Sequence, residues 1–132
     1  ELGKEIEPFA IASGTRMGHV HLSVKNSREA SAFYQESLGL EDKFTIPHAS
    51  WIASGAYHHH LAVNEWGGKN LVRREHGMVG LAYYVVEVEN KEFLVNLFTQ
   101  AQDWQEQLRW ISSSEFSVTD KDGIVTRVRV EN

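Results

Sequence analysis

Twice along its 132 residues the chain changes hydrophobic period from 2 to 3.6, the mark of a strand that leads into an amphipathic helix. In the first instance Val20, Leu22 and Val24 alternate with His19, His21 and Ser23 inside the stretch Met17 to Lys25, so one face is apolar and the other carries imidazoles. Asn26 then offers an N-cap with Glu29 three positions on. Ala30, Phe33, Tyr34 and Leu38 follow as a stripe at helical spacing that ends at Gly39. Segments 41–46, 50–53 and 57–66 read as three further strands, separated by Pro47-His48 and by Gly55. The order is β-α-β-β-β.

After a polar stretch, 67–77, the same order begins again. Residues 80–88 are strand-like, Asn90 caps a second helix with its stripe at Phe93, Leu94, Leu97, Phe98 and Ala101, and segments 109–111, 115–119 and 124–130 complete the unit. The last two are joined by the turn signal Asp120-Lys121-Asp122-Gly123. The expected fold class is therefore α+β: two βαβββ modules with about eight strands and two helices. The expected division is a lead-in segment at 1–14 and one domain at 15–132, with module one at 15–67, a linker at 68–78 and module two at 79–132. A chain that begins with Glu1 is expected to be processed or to be part of a longer polypeptide.

Composition narrows the function classes. A formal charge of -5 opposes the broad attraction to phosphates on which non-specific nucleic-acid binding depends. No apolar run approaches the roughly 20 residues of a membrane span. The chain has no cysteine, which removes disulfides, thiolate metal sites and cysteine nucleophiles together and suits a cytoplasmic location. A metal here has only nitrogen and oxygen ligands to draw on.

The local anomaly is Tyr57-His58-His59-His60-Leu61-Ala62-Val63-Asn64-Glu65-Trp66, three consecutive histidines in a strand-like segment. Alternation puts His58, His60, Ala62 and Asn64 on one face and Tyr57, His59, Leu61 and Val63 on the other. His19 and His21 share a face by the same rule. Pattern alone makes a single strand histidine more often a hydrogen-bonded structural residue than a ligand, and Phe33 and Tyr34 more often core than substrate shelf. Ser112-Ser113-Ser114 lacks the glycine framework of a nucleophile elbow, Gly67-Gly68-Lys69 is too short for a phosphate loop, and no catalytic residue is assigned.

Met17 to Asn26, followed by Ala30-Ser31-Ala32-Phe33-Tyr34-Gln35-Glu36-Ser37-Leu38-Gly39-Leu40, resembles the opening strand and helix of a vicinal-oxygen-chelate module, the superfamily of glyoxalases, bleomycin-resistance proteins and extradiol dioxygenases. Residues 55–66 resemble the third module of four-module bacterial catechol-2,3-dioxygenase-like or glyoxalase-family proteins. The resemblance covers about residues 15–131 and is thinner over the second half, where Gly80-Leu81 and the turn 120–123 carry it. It implies modules curled as paired half-barrels around a metal cavity, with ligands from first and last strands. Those positions fall on His19 and His60 in module one, and on Tyr83 and Arg127 in module two. There many relatives have histidine and glutamate. Arginine cannot ligate while protonated, so this departure leaves the site without a carboxylate. Glu65 and Glu131 are the nearby carboxylates, but on the strand reading Glu131 shares a face with Arg127 and sits too far along.

The resemblance thus implies the C-terminal half of a metal-dependent ring-cleaving dioxygenase, contributing histidines or cavity walls. The alternative is a metal-free ligand-binding or structural domain of the same superfamily. The expected metal ligands are His19 and His60. His21, His58, Asn64, Tyr83 and Arg127 are expected to orient those ligands or contact substrate. The expected cofactor is a divalent metal, Fe or Mn before Zn or Ni. The expected partners are a small aromatic or vicinal-oxygen substrate and either an N-terminal half or a second copy. The isolated chain is expected to be inactive or weak.

Overall fold

A computed structural model describes residues 10–131, so most of the expected lead-in at 1–14 lies outside the described residues. The first module consists of β1 (Val20–Ser23), α1 (Ser27–Leu38), β2 (Glu41–Ile46), β3 (Ala49–Ala53) and β4 (Leu61–Asn64). The second consists of β5 (Tyr84–Val88), α2 (Lys91–Gln100), a 3-10 helix (Ala101–Gln107), β6 (Leu108–Ser112), β7 (Glu115–Thr119) and β8 (Val125–Val130). Among the described residues these strands form two four-stranded sheets, ordered β1-β4-β3-β2 and β5-β8-β7-β6. The α+β class read from the periodicity is the class observed.

In each sheet the first strand runs parallel to the last, Val20 opposite Leu61 and Tyr84 opposite Thr126, while the remaining pairs are antiparallel. Parallel neighbours cannot be joined by a tight hairpin. The chain leaves each first strand through a helix instead. Asn26 starts α1 by accepting a hydrogen bond from Glu29 N at 3.0 Å, and Asn90 starts α2 by accepting one from Phe93 N at 2.8 Å. Gly39 ends α1 at φ 67°, in the left-handed region.

The strands are shorter than the alternating patterns suggest. Residues 57–60 precede β4 and residues 80–83 precede β5, because the ladders that hold these strands begin at the Val20–Leu61 and Tyr84–Thr126 pairs. Residues 65–83 contain turns and no helix or strand. The 3-10 helix was not legible as such. It carries Trp104, whose ring packs on Phe33 with centroids 5.0 Å apart and whose Nε1 donates to Glu36 at 2.9 Å.

One hydrophobic core joins the modules. Leu22, Val24, Phe33 and Val63 from the first cluster with Leu94, Leu97, Phe116 and Val128 from the second. Burial on this scale supplies the main folding force. At its centre lies a polar clasp: Tyr34, fully buried, donates to Asp120, and the other oxygen of Asp120 accepts from Asp122 N at 2.9 Å and Ile124 N at 2.8 Å. Burial pushes the Asp120 carboxyl above the usual range despite these donors. The same turn receives Lys25 N on Asp122 at 2.8 Å and Arg74 N on the Asp122 carbonyl at 2.7 Å. A Cβ at Gly123 (φ +82°) would meet Arg74 O at 2.0 Å, so that position admits only glycine.

Removing the Tyr34 hydroxyl leaves a buried Asp120 oxygen without its donor. Tyr34→Phe is expected to lower unfolding free energy by about 1–3 kcal/mol in urea denaturation. Tyr83→Phe, at an exposed ring, is expected to change it by less than about 0.5 kcal/mol. Equal effects would show that the clasp does not contribute.

Candidate functional site

β1 separates its two faces as alternation requires. Leu22 and Val24 are buried in the core, and His19 and His21 stand exposed on the opposite face. The third imidazole on that face is His59. Ring centroids lie 4.7 Å apart for His19 and His21, 4.4 Å for His19 and His59, and 5.4 Å for His21 and His59. One ligating atom from each of the three falls within 4.8 Å of the others. The structure therefore brings His19 and His21 together with His59, where the sequence reading placed His60.

The difference has a local cause. β4 begins only at Leu61, so alternation does not decide which rings of residues 57–59 face β1, although His60 still accepts from Val20 N and donates to Ile52 O through its backbone. His60 is anchored elsewhere: its Nδ1 accepts from Ser54 N at 3.1 Å, and its ring stacks on Tyr57 with centroids 4.6 Å apart. A neutral imidazole whose Nδ1 accepts a hydrogen bond carries its proton on Nε2 and has no lone pair left for a metal.

His59 is placed the other way. Its Nδ1 lies 2.6 Å from His58 Nδ1, so one ring donates to the other, while its Nε2 is buried and has no hydrogen-bond partner. When Nδ1 of His59 is the donor, its Nε2 keeps a free lone pair, on a ring whose neighbours are His19 and His21. Loss of solvation holds the His59 pKa below the usual imidazole range, and the neighbouring His19, His58, His21 and His60 lower it further. The neutral form that ligates metals is favoured.

Among the described residues no carboxylate belongs to this group. Glu65 is committed elsewhere: one oxygen accepts from Ser27 N at 2.8 Å and Ser27 Oγ at 2.9 Å, and the other meets His48 Nδ1 at 3.1 Å. Glu131, at the end of β8, bonds through its backbone to Val88 O. Asn64 is buried, and its side-chain oxygen accepts from Trp66 N at 3.2 Å, closing the turn after β4. On the histidine face, register aligns His21, Ala62, Trp51 and Phe44 in one row across the four strands. The Trp51 and Phe44 rings are 5.6 Å apart, and Phe44 is 60 % exposed.

Tyr83 and Arg127 form a separate group in module two. The Arg127 guanidinium lies 4.7 Å over the Tyr83 ring and donates to Glu115, which raises the arginine pKa further and keeps it charged. Among the described residues no hydrogen bond, ion pair or ring contact links this group to the histidines. Glu115 was missed because it is diagonal to Arg127: Ser117 stands opposite, and the carboxylate reaches across from two residues away. His59 was missed because three adjacent histidines give no signal of where a strand begins.

No protein-family profile matches the chain. In overall shape it matches a glyoxylase/bleomycin resistance protein/dioxygenase domain from Frankia sp. EAN1pec, with a TM-score of 0.69 at 15% identity over 91% of this chain and 100% of that one. A glyoxalase/dioxygenase from Nostoc punctiforme gives 0.68 at 15% identity over 96% and 99%. A lactoylglutathione lyase from Agrobacterium tumefaciens gives 0.61 at 15% over 90% and 96%. The chain therefore has the fold of the glyoxalase/bleomycin-resistance/dioxygenase proteins, the vicinal-oxygen-chelate fold. Its resemblance to them extends to sequence: it is 34% identical over 87 residues to a catechol-2,3-dioxygenase of Bacillus subtilis (strain 168). The matched segment is 64% of this chain and 30% of that protein. No helix of the described residues is long and apolar enough to cross a membrane.

The Glu65 hydrogen bonds hold its carboxyl below the usual range, through the Ser27 backbone first and then through His48. Its folded pKa is therefore depressed. The stabilisation is present above the unfolded value of about 4.3 and disappears as pH falls through the folded value. Glu65→Ala is expected to cost about 1 kcal/mol at pH 7, as a lost helix cap does. Denaturation midpoints measured from pH 7 to pH 3 should show wild type and variant converging on the acid side. A gap independent of pH would refute the assignment.

Proposed function

We propose that this chain is a metal-binding module of a dioxygenase- or glyoxalase-type protein. In this reading His19, His21 and His59 hold a divalent ion, and a small substrate with adjacent oxygens meets it on the histidine face. The observation that carries the reading is the buried, unpartnered Nε2 of His59 on a ring beside the exposed imidazoles of His19 and His21. A buried polar atom without a partner costs stability unless something satisfies it. A cation that imidazole suits is one such partner. His58 would set the tautomer of His59, and His60, tied to Ser54, would stay out of the coordination sphere.

A divalent ion bound there would supply electrophilic polarisation of chelated substrate oxygens. The chain's own residues do the rest: the imidazoles fix the position of those oxygens, and the half-buried Trp51 and exposed Phe44 in the same row offer planar apolar surface to an aromatic ring. In module two the guanidinium of Arg127 is already paired with Glu115, so that side would serve as a wall rather than as a second set of ligands. Ring-cleaving activity belongs to a larger assembly in this reading, with an N-terminal half or a second copy supplying the missing charge. The support for that is the match to 30% of a catechol-2,3-dioxygenase.

Untagged protein, stripped with chelator, should take up one equivalent of cobalt(II) in an absorbance titration. His59→Ala should weaken uptake by at least about tenfold, while His60→Ala should leave it within about threefold. No uptake, or greater sensitivity to His60 than to His59, would overturn the proposal.

A further inference from the structure

Resting on the metal-binding reading above, we infer that the histidine face selects zinc, or a late first-row ion of the same imidazole preference, over manganese(II) and iron(II). The donor set decides this. Three imidazoles meet at the site, and among the described residues no carboxylate joins them. Oxygen-chemistry iron sites pair two histidines with a carboxylate, and manganese favours oxygen donors, whereas imidazole suits zinc, copper and nickel. Three protein ligands and one open position is also the usual arrangement of a zinc site that admits water or substrate.

Module one cannot supply the missing charge from its own resources. Its sequence from 15 to 67 contains five carboxylates, and each has another partner. Glu29 faces Lys121, Glu36 accepts from Trp104, Glu41 pairs with Lys43, Asp42 accepts from Thr45, and Glu65 holds the start of α1. Glu41 and Asp42 also lie on β2, at the far edge of the sheet from β1. In module two, Glu115 is held by Arg127 and Glu87 lies 3.7 Å from Arg129. An ion on the histidine face would keep its full double charge and be held by imidazole bonding alone. Such bonding favours ions late in the order Mn, Fe, Co, Ni, Cu, with zinc following copper.

The geometry permits closure onto zinc. Ligating atoms now within 4.8 Å must come to about 3.3 Å apart for zinc-nitrogen bonds of about 2.0–2.1 Å. His19 and His21 are exposed and free to rotate toward His59, whose ring is the more enclosed of the three.

The test is competition of the untagged, chelator-stripped chain against a chromophoric indicator, with zinc, nickel, manganese and, anaerobically, iron(II). Zinc is expected to bind one to one and at least about a hundredfold more tightly than manganese or iron. His21→Glu, at an exposed position, restores a two-histidine, one-carboxylate set and should narrow the zinc-to-manganese ratio by at least about tenfold. Circular dichroism of the variant confirms that it is folded. Cobalt(II) spectra give a second readout, with intense d-d bands expected for the four-coordinate wild-type site. Manganese or iron bound as tightly as zinc would overturn this inference and leave the metal-binding reading standing. Failure of every ion to bind would overturn both.

Discussion

The parallel pairing of first and last strands in each module determines where any chemistry on this chain can lie. It joins the two ends of a unit of about 45 residues, Val20 to Leu61 and Tyr84 to Thr126, across a single ladder. Side chains at the two ends of each module therefore meet whatever the intervening hairpin does. In module one that meeting brings His19 and His21 against the 57–60 segment; in module two it brings Tyr83 against Arg127. The helical crossover demanded by parallel strands is also what supplies the core, since α1 and α2 cover the opposite face of each sheet.

That core is shared, and the buried carboxylate of Asp120 shows what sharing entails. Asp120 is pulled from water into the contact between modules, where its charge is disfavoured. Three donors, two from its own turn and one from Tyr34, keep it from being an orphan. Tyr34 belongs to α1 and Asp120 to the β7–β8 turn, so the hydrogen bond forms only when the two modules are docked. Lys25 and Arg74 reach the same turn through their backbone N–H groups. Docking thus fixes the start of α1, the linker and the β7–β8 turn together.

Much of this was legible in the sequence, for a definite reason. Inside a ladder, alternation is enforced by the pleat, so Leu22 turns inward and His21 outward, and Val24 and His19, directly adjoining the ends of β1, continue the same alternation. The two helix stripes and their asparagine caps were legible on the same footing. Outside a ladder the rule has no force. His58, His59 and His60 lie before β4, and the ring that joins the cluster is decided by hydrogen bonds to Ser54 and between neighbouring histidines, none of which has a sequence period. The Glu115 partner of Arg127 was hidden for a related reason. It depends on the register of β7 against β8, and a shift of one residue would have put the carboxylate on the other face.

The two modules place chemically opposite groups at equivalent positions, and this asymmetry bears on what the chain does alone. Imidazole lone pairs attract a cation. A guanidinium repels one, with a Coulomb energy that becomes appreciable in a partly dehydrated cleft. Glu115 removes most of that repulsion by forming a close pair with Arg127, so module two presents a locally neutral wall. Neutralisation does not create a ligand, because both carboxylate and guanidinium are occupied by each other. A cation on module one would therefore meet neither competition nor help from module two. Among the described residues, the lack of a carboxylate at the cluster follows from pairings already made within the fold: Glu65 stabilises the start of α1, and Glu115 neutralises Arg127. Freeing either for a metal would leave a helix end or a half-buried cation unpaired, a cost that a single coordination bond must exceed before the site can change character.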